Sequence, residues 1–347
     1  MAVLNHMRNL GYGEVFIRHN AASHLNAIIA IHSSLLGPAL GGCRLAVYPD
    51  DDAALHDALR LAEGMTYKAA LAGLDHGGGK AVIIEPRGAF DRHALFSAFG
   101  DMVHQLGGRY YTAEDSGTTP EDMHVIRSVT PYVTGATIGD GGSGDPSPFT
   151  ALGVRCGIQA CIKFVLHQDS LTGLHICVQG VGSVGYHLCR ELHAMGARLT
   201  VADTDANKTA RVAQEFGATI VSVSDIAQIE CDVFAPCAFG GIINDISIPQ
   251  LRCRIIAGAA NNQLAMEHHG DVLAARGITY APDYAINAGG LINVAQELKG
   301  YREEIARSRT LKIFDTIWNI LEEAKHSNIA PHRVAARIAR NRLTSVK

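Results

Sequence analysis

The sequence lacks the features that mark membrane, secreted and nucleic-acid-binding proteins. Its net charge is only −4, from 30 basic and 34 acidic side chains, so it has no strong basic surface for nucleic acid or anionic lipid. The N-terminal segment has no uninterrupted apolar core, and the best apolar stretch that we find, residues 27–31, ends at His32, far short of a membrane span. We therefore expect a soluble, unexported, cytoplasmic protein that binds neither nucleic acid nor membrane.

Metal-binding and disulfide patterns are also absent from the sequence. The eight cysteines form no C-x-x-C pair, which favours reduced core residues in a cytosolic protein. His76 and the adjacent His268 and His269 are potential ligands, but no H-E-x-x-H or similar ligand set accompanies them, so we predict no metal site.

Glycine is abundant, with 36 residues, or roughly a tenth of the chain against about 7% in ordinary proteins. Such an excess is typical of backbone that approaches a ligand closely.

The turn-forming stretch from Gly139 to Pro148 predicts a domain junction, followed by a helix from Phe149. Before the junction we expect strands at 27–37 and 80–86 and a helix from Asp52 to Leu71. After it, short apolar strands alternate with helical segments, which is the doubly wound α/β pattern, and the chain is helical from Ile292 onward.

A dinucleotide-binding motif occurs in this second half. Gly180, Gly182 and Gly185 form G-x-G-x-x-G directly after an apolar strand and before a helix, and Asp203 ends the next strand 18 residues later. The glycines allow a tight turn and close approach of backbone to a pyrophosphate at the helix N-terminus. A carboxylate at Asp203 accepts hydrogen bonds from a ribose diol and repels a 2′-phosphate, so the motif favours NAD over NADP.

The first half carries two lysines and a carboxylate in unusual positions. Lys68 continues the apolar stripe of its predicted helix, and Lys80 follows three glycines and precedes an apolar strand. A buried lysine near a second cation loses its proton more easily and can act as a general base. Asp115 follows an apolar segment and can relay protons or hold an amine, whereas Glu114 and Asp122 are expected to be solvated or to cap the turn. The alternative to a functional role is, for Lys68, an ordinary lysine at a helix end with its ammonium in solvent and, for Lys80, an ordinary lysine at a strand edge.

Long segments of the chain resemble one enzyme family in the right order. They are GPALGGCRLAVYPDDDAALHDALRLAEGMTYKAALAGLDHGGGKAVI, YYTAEDSGTTPEDM, VQGVGSVGYHLC, APCAFGGIIND, IIAGAANNQL and APDYAINAGGLINVA. These segments are similar to the Glu/Leu/Phe/Val amino acid dehydrogenases, and within that family most closely to the members that act on leucine.

The resemblance implies an α/β protein of two domains with the substrate in the cleft between them. The catalytic domain would be residues 1–145, completed by C-terminal helices at about 326–347, and the Rossmann-like NAD domain would be residues 146–325. The family also implies a homo-oligomer, from dimer to octamer. The basic C-terminal segment is expected to pack on the first domain or on a neighbouring subunit.

The resemblance also implies roles for individual residues. Lys68 and Asn262 would bind the substrate carboxylate, Lys80 would be the general base, and Asp115 would handle the amine and its protons. The substrate side chain would be lined by Leu40, Gly42, Met65, Ala113, Leu291 and Val294. The cofactor NAD would be held by Gly180, Val181, Gly182, Ser183, Val184, Gly185, Asp203, Thr150, Asn261 and Asn287.

The implied reaction is NAD-dependent, reversible oxidative deamination of a branched-chain aliphatic L-amino acid, giving a 2-oxo acid and ammonia. Aromatic amino acids stay an alternative, because one methylene in an apolar pocket changes selectivity by only about 1–3 kcal/mol. Glutamate is disfavoured, because relatives that act on it have a lysine at the position of Leu40. A 2-hydroxy acid dehydrogenase would require an Arg and a His–acid pair, and a sensor without activity would have lost Lys68, Lys80, Asp115 or Asn262. Three positions depart from the family pattern, Cys43, His76 and Ser116, and all flank the site.

Overall fold

The chain folds into two compact units in the computed structural model, which describes residues 3–10, 13–135 and 142–345. Unit 1 comprises residues 1–145, 294–303 and 339–347, and unit 2 comprises residues 146–293 and 304–338. The predicted junction stretch begins at Gly139, and its residues 139–141 lie outside the described residues. The C-terminal part of unit 1 differs from the expected 326–347, because the last helix (Pro331–Ser345) belongs to unit 2 up to Ile338 and to unit 1 from Ala339.

Unit 1 is built on a mixed sheet. Its strands, within the described residues, are β1 (Glu14–Asn20), β2 (Leu25–Ser33), β3 (Ala39–Ala46), β4 (Gly77–Ile84) and β5 (Tyr110–Glu114). Their order is β1-β2-β4-β3-β5. The pairs β1/β2 and β2/β4 are antiparallel, and the pairs β4/β3 and β3/β5 are parallel. The sequence analysis expected β2 and β4, which are apolar runs, but not β1, β3 or β5.

Helices cover both faces of this sheet. They are α1 (Val3–Leu10), α2 (Asp51–Leu71), α3 (Arg92–Gln105) and α4 (Pro120–Val129). The Asp50 side chain accepts a hydrogen bond from the N–H of Ala53 and so begins α2, as its acidic start indicated. Leu55 and Leu59 of α2 pack on one face of the sheet, and Phe96 and Phe99 of α3 lie in the core on the other.

Unit 2 is built on a parallel sheet. Its strands, within the described residues, are β6 (His175–Gln179), β7 (Arg198–Ala202), β8 (Thr219–Ile220), β9 (Cys231–Pro236), β10 (Cys253–Ile256) and β11 (Thr279–Tyr280). The order is β11-β10-β9-β6-β7-β8, and all neighbouring strands are parallel. Counted from β6, this is the 3-2-1-4-5-6 order of Rossmann folds, which bind ligands where the order reverses. The predicted doubly wound α/β pattern is confirmed.

The helices of unit 2 include one that resembles a membrane span. The helices after the junction are α5 (Ser147–Leu166), α6 (Ser183–Ala194), α7 (Ala206–Phe216), α8 (His268–Ala275), α9 (Asp283–Ile286), α10 (Gly289–Ala295), α11 (Glu303–Leu311), α12 (Ile313–Ser327) and α13 (Pro331–Ser345). Helix α5 is long and apolar enough to cross a membrane, with a mean hydropathy of 1.4, and 56% of that window is buried. A core helix of a soluble protein passes the same test, so this is weak evidence for a membrane span. The expectation that residues 27–31 are the best apolar stretch was therefore wrong.

Candidate active site

Lys80 and Asp115 form a buried ion pair in unit 1. The distance from Lys80 Nζ to Asp115 Oδ2 is 2.9 Å, and the two side chains are 6% and 14% exposed. Lys80 lies on β4 and Asp115 directly follows β5, and β3 lies between these strands. The register of β3 puts Gly42 opposite Lys80 on one side and Ala113 on the other. Because Gly42 has no side chain, the lysine and the carboxylate meet across the middle strand.

Gly42 cannot be replaced without moving this pair. A Cβ at Gly42 would lie 2.8 Å from the Asp115 Cβ and 2.6 Å from the Glu114 carbonyl oxygen. Both distances are shorter than real Cβ contacts. The sequence analysis named Gly42 for the substrate pocket, and the structure adds that it makes room for Asp115.

The charge of Asp115 is stabilised by two cations. Its Oδ2 also accepts a hydrogen bond from Arg44 Nε at 3.0 Å. Burial alone would raise the pKa of Asp115, but the charges and hydrogen bonds of Lys80 and Arg44 outweigh it and hold the pKa below its usual value. Arg44 was missed by sequence reasoning, because only the pairing of β3 with β5 brings it next to Asp115.

Helix α2 lies directly over the glycine-rich strand that carries Lys80. A Cβ at Gly78 would be 2.1 Å from the backbone nitrogen of Thr66, and one at Gly41 would be 3.4 Å from Met65 Cγ. The helix therefore approaches β4 so closely that only glycine fits there. Lys68, half-buried, follows Thr66 by two residues on the same helix.

The apolar residues named for the substrate side chain are all largely buried. In unit 1, Leu40 is on β3, Met65 is on α2, and Ala113 pairs with Gly42. Val294 also belongs to unit 1, whereas Leu291 belongs to unit 2.

Glu114 has a strongly perturbed carboxyl group. Burial of that group, together with the negative charges of Asp145, Glu121, Asp122 and Asp115, raises its pKa to about 7. Glu114 is exposed at the end of β5, in agreement with the expected solvated carboxylate, but its raised pKa was not expected. The expectation of a capping carboxylate is correct for Asp122, which forms a capping box with Thr119 at the start of α4.

Two of the three departures from the family pattern are buried. Cys43 is fully buried on β3, and burial raises the pKa of its thiol to about 12. His76 is buried just before β4, where desolvation lowers its pKa, and its Nδ1 has no hydrogen-bond partner. Ser116 is exposed.

The glycine motif of unit 2 forms a tight strand–loop–helix turn. Gly180 has φ +92°, and a Cβ there would be 2.8 Å from the backbone nitrogen of Ala238. A Cβ at Gly185 would be 2.0 Å from the Gly180 carbonyl oxygen, whereas one at Gly182 would meet no atom within 4 Å. Gly180 and Gly185 are therefore required by the fold, and Gly182 faces open space at the start of α6. The loop residues Val181, Ser183 and Val184 complete the turn.

Asp203 is fixed beside this loop at the end of β7. Its Oδ2 accepts a hydrogen bond from the Val181 N–H at 2.8 Å, and its Oδ1 accepts one from the Asp205 N–H at 3.0 Å. Burial opposes ionisation, but these two backbone bonds prevail and hold the pKa of Asp203 below its usual value. The carboxylate is thus ionised next to the glycine turn.

A cavity of about 460 Å³ opens where the strand order reverses. Gly180, Gly182, Asp203 and Lys208 line it, as do Val223 and the segment 237–242 after β9. Phe239 in that segment is 84% exposed. Sequence reasoning did not assign these last residues individually, although their segment carried the family resemblance.

The remaining expected cofactor and carboxylate contacts also lie in unit 2. Asn287 donates from Nδ2 to Asn261 Oδ1 at 2.8 Å, and its own Oδ1 is buried with no hydrogen-bond partner. Asn262 has a left-handed backbone with φ +51°. Thr150, on α5, donates to the Pro146 carbonyl.

Asp245, His268 and His269 come together at the start of α8, with one potential ligand atom of each within 4.8 Å of the others. The Nδ1 of His269 accepts the Met266 N–H, and its Nε2 is 3.3 Å from Asp245. This arrangement leaves the proton on Nε2, so a metal ligand at His269 would require the ring to lose it.

Comparison with known proteins assigns the chain to a family. The fold and the two sites define an oxidoreductase with a dinucleotide-binding unit. A model of the "Glu/Leu/Phe/Val dehydrogenase, dimerisation domain" matches residues 14–132, and one of the "Glutamate/Leucine/Phenylalanine/Valine dehydrogenase" family matches residues 201–346. The chain belongs to this family and is an amino acid dehydrogenase, as its motifs indicated.

Individual relatives are similar over nearly their whole length. The chain is 50% identical to leucine dehydrogenase of Geobacillus stearothermophilus and 48% identical to that of Bacillus subtilis (strain 168), covering 100% of this chain and 95% of each relative. It is also similar to the crystal structure of L-tryptophan dehydrogenase from Nostoc punctiforme, with a TM-score of 0.85, 44% identity and 99% of both chains covered.

Proposed function

We propose that the protein catalyses NAD-dependent, reversible oxidative deamination of branched-chain aliphatic L-amino acids. The products are the 2-oxo acid and ammonia. The observation that carries the proposal is the buried pair of Lys80 and Asp115 beside an apolar strand, because it provides a titratable amine and a carboxylate in proton-transfer distance.

The glycine turn of unit 2 fits NAD. Gly182 leaves space for a pyrophosphate at the N-terminus of α6, and the ionised Asp203 suits a ribose diol. The buried, unpartnered Oδ1 of Asn287 is an acceptor that a ligand amide would satisfy. When bound, NAD accepts a hydride from the α-carbon of the substrate.

The residues of unit 1 would manage the protons. As the α-carbon loses its hydride, Asp115 would take one proton from the α-ammonium group of the substrate, which leaves an iminium. Lys80, in its neutral form, would take a proton from the water that attacks this iminium, which gives a carbinolamine. Asp115 would return its proton to the carbinolamine nitrogen and take the hydroxyl proton as ammonia leaves and the 2-oxo acid forms. The 2.9 Å contact between Lys80 and Asp115 gives those protons a path between the two groups. Lys68 and Asn262 would bind the substrate carboxylate, Lys68 as a point charge.

The side-chain preference would follow from the apolar lining. Leu40, Met65 and Ala113 offer no charge to a substrate side chain, and Leu40 is 1% exposed. A carboxylate side chain such as that of glutamate would be desolvated there without a partner, which is unfavourable.

The assembly and location would be those of a cytoplasmic homo-oligomer. The match of unit 1 to a dimerisation domain supports self-association. All eight cysteines lie within the described residues and are free, which is typical of a reducing compartment.

The test is NADH formation from NAD with L-leucine, L-valine, L-isoleucine, L-phenylalanine, L-tryptophan, L-glutamate and 2-hydroxyisocaproate in parallel. We expect the highest kcat/KM with the aliphatic amino acids. A preference for aromatic substrates would keep the mechanism and overturn the side-chain assignment. Activity on the hydroxy acid alone would refute the proposal.

Variants of two lysines test the role of the pair. We expect Lys80→Ala to abolish turnover and to leave NADH binding, followed by fluorescence titration, within about threefold. Lys299→Ala is the matched control, because Lys299 also pairs with a carboxylate of unit 1, Asp75 at 3.1 Å, but is half exposed. Turnover retained by Lys80→Ala would exclude Lys80 as the base.

A further inference from the structure

Arg44 contacts the same oxygen of Asp115 as Lys80 does. Arg44 Nε and Lys80 Nζ lie 3.0 and 2.9 Å from Asp115 Oδ2; Arg44 is on β3, next to β5, and Lys80 is on β4, the strand beyond it. Arg44 and Lys80 thus both contact Oδ2 of Asp115. Oδ1 is left as the oxygen that can handle a substrate amine.

The other end of the Arg44 guanidinium is anchored on α2. Arg44 NH1 lies 2.9 Å from Asp57 Oδ2, and the same oxygen accepts the Tyr48 hydroxyl at 2.6 Å. A guanidinium fixed at both ends loses little freedom when it holds a carboxylate. The orientation of Asp115 is therefore set by a chain of contacts that runs back to helix α2.

The two cations differ in kind. A general base must be uncharged during part of its cycle, so Lys80 cannot be a permanent cation for Asp115. Arginine keeps its charge at every pH that proteins experience. Of these two cations, Arg44 is therefore the one that supplies a constant positive charge to the Asp115 carboxylate.

We propose that Arg44 is the positioning residue that keeps Asp115 an oriented carboxylate while Lys80 is neutral. The inference rests on the proposed function for the roles of Lys80 and Asp115. The contact with Arg44 itself is independent of the substrate.

The surroundings of Asp115 make this support necessary. Burial opposes its ionisation, and Lys80 and Arg44 lower its pKa. Acidic or potentially anionic neighbours are Glu114 on β5, Asp122 on α4, Cys43 on β3 and Tyr110 at the start of β5; Cys43 and Tyr110 stay neutral because burial raises their pKa values. Glu114, when ionised, repels a charge on Asp115. The cations that lower the pKa of Asp115 are Lys80 and Arg44, so Arg44 is the one of the two that remains charged when Lys80 is neutral.

The direct test is the titration of Asp115 by NMR with ¹³C-labelled aspartate, assigned with Asp115→Asn. Four proteins are compared: wild type, Lys80→Met, Arg44→Gln and the double variant. Lys80→Met mimics a neutral lysine, and we expect Asp115 to stay ionised at pH 7 in it. In the double variant we expect the midpoint to rise by about 3 pH units relative to Lys80→Met, toward the value of a buried unpaired carboxyl. Equal midpoints in Lys80→Met and the double variant would overturn the proposal.

The kinetic test uses the preferred substrate. We expect Arg44→Gln to lower kcat about 10- to 100-fold with KM within threefold, and to move the acid limb of the kcat profile about 1 unit to higher pH. Arg44→Lys should recover part of kcat, since it restores the charge. Arg109→Gln is the matched control, because Arg109 pairs with Glu14 in the same unit at 2.6 Å, and its profile should equal that of wild type.

The two arms separate the possible failures. If wild type deaminates no amino acid, the proposed function fails while the NMR titration still decides the role of Arg44. If the Arg44→Gln profile is unchanged in a protein that does deaminate, Arg44 is only structural.

Discussion

The ion pair of Lys80 and Asp115 is the contact whose loss should weaken unit 1 most, and Asp115→Asn removes its charge at almost constant volume. Lys80 is 6% exposed, so the substitution leaves its ammonium without an anion and next to the Arg44 guanidinium, which keeps only Asp57 as its partner. Breaking a buried pair by removing one partner costs about 3–5 kcal/mol. Lys80→Met should cost less, because Asp115 then keeps Arg44 as its partner.

Hydrogen exchange measures this cost within unit 1 alone. About 3–5 kcal/mol corresponds to a fall of roughly 10²- to 10⁴-fold in amide protection, which we expect in peptides covering β4 and β5. Peptides of β6 in unit 2 serve as the internal reference. If Asp115→Asn changes protection of β4 and β5 by less than threefold, or by less than Lys80→Met does, the pair is not stabilising in the way argued here.

Two further predictions concern other groups. Gly182→Ala should fold normally and weaken NADH binding, whereas Gly185→Ala should lower the thermal stability, since its Cβ would lie 2.0 Å from the Gly180 carbonyl oxygen. Fluorescence titration with NADH and thermal unfolding of both variants check this prediction. A lower thermal stability of Gly182→Ala would contradict it. Glu114 has a folded pKa raised to about 7, so it contributes stability at acidic pH that is lost as the pH rises toward 7 and above. Glu114→Gln should therefore gain in Tm relative to wild type between pH 5 and pH 8, and a constant difference across that range would count against the raised pKa.

The elements predicted from the sequence are those whose pattern is local. Helix α2 was expected from 52 to 71 and runs from Asp51 to Leu71, because an acidic N-terminus and apolar spacing determine it. The parallel strands β6, β7, β9, β10 and β11 of unit 2 are short apolar runs and were identified for the same reason, whereas β8, two exposed residues at the sheet edge, was not. Strand β3 was missed, since its central Gly41 and Gly42 are poor strand formers. Those glycines are explained only by backbone contacts with β4 and by Asp115, which are not local in sequence.

The candidate site was accessible to sequence reasoning only in part. Lys80 and Asp115 were recognised as unusual residues from their apolar and glycine-rich neighbours, and the structure brings them into contact. Arg44 and the raised pKa of Glu114 depend on the register of β3 and β5, which composition and periodicity do not reveal. A charged residue two positions after a pair of glycines in a strand is the signal that could have identified Arg44.

The end of helix α2 depends on Arg342, which is synthesised long after the helix itself. Arg342 donates hydrogen bonds to the carbonyl oxygens of Ala70 and Leu74, at 2.6 and 2.9 Å, and so completes the segment that follows Lys68. Nearly 200 residues separate the end of the first segment of unit 1 from Arg342. At translation rates of about 5–20 residues per second, unit 1 waits roughly 10–40 s on the ribosome for this contact, while all of unit 2 emerges first. Until Arg342 has left the ribosome, the nascent chain therefore carries α2, the helix of Lys68, with an open C-terminal end.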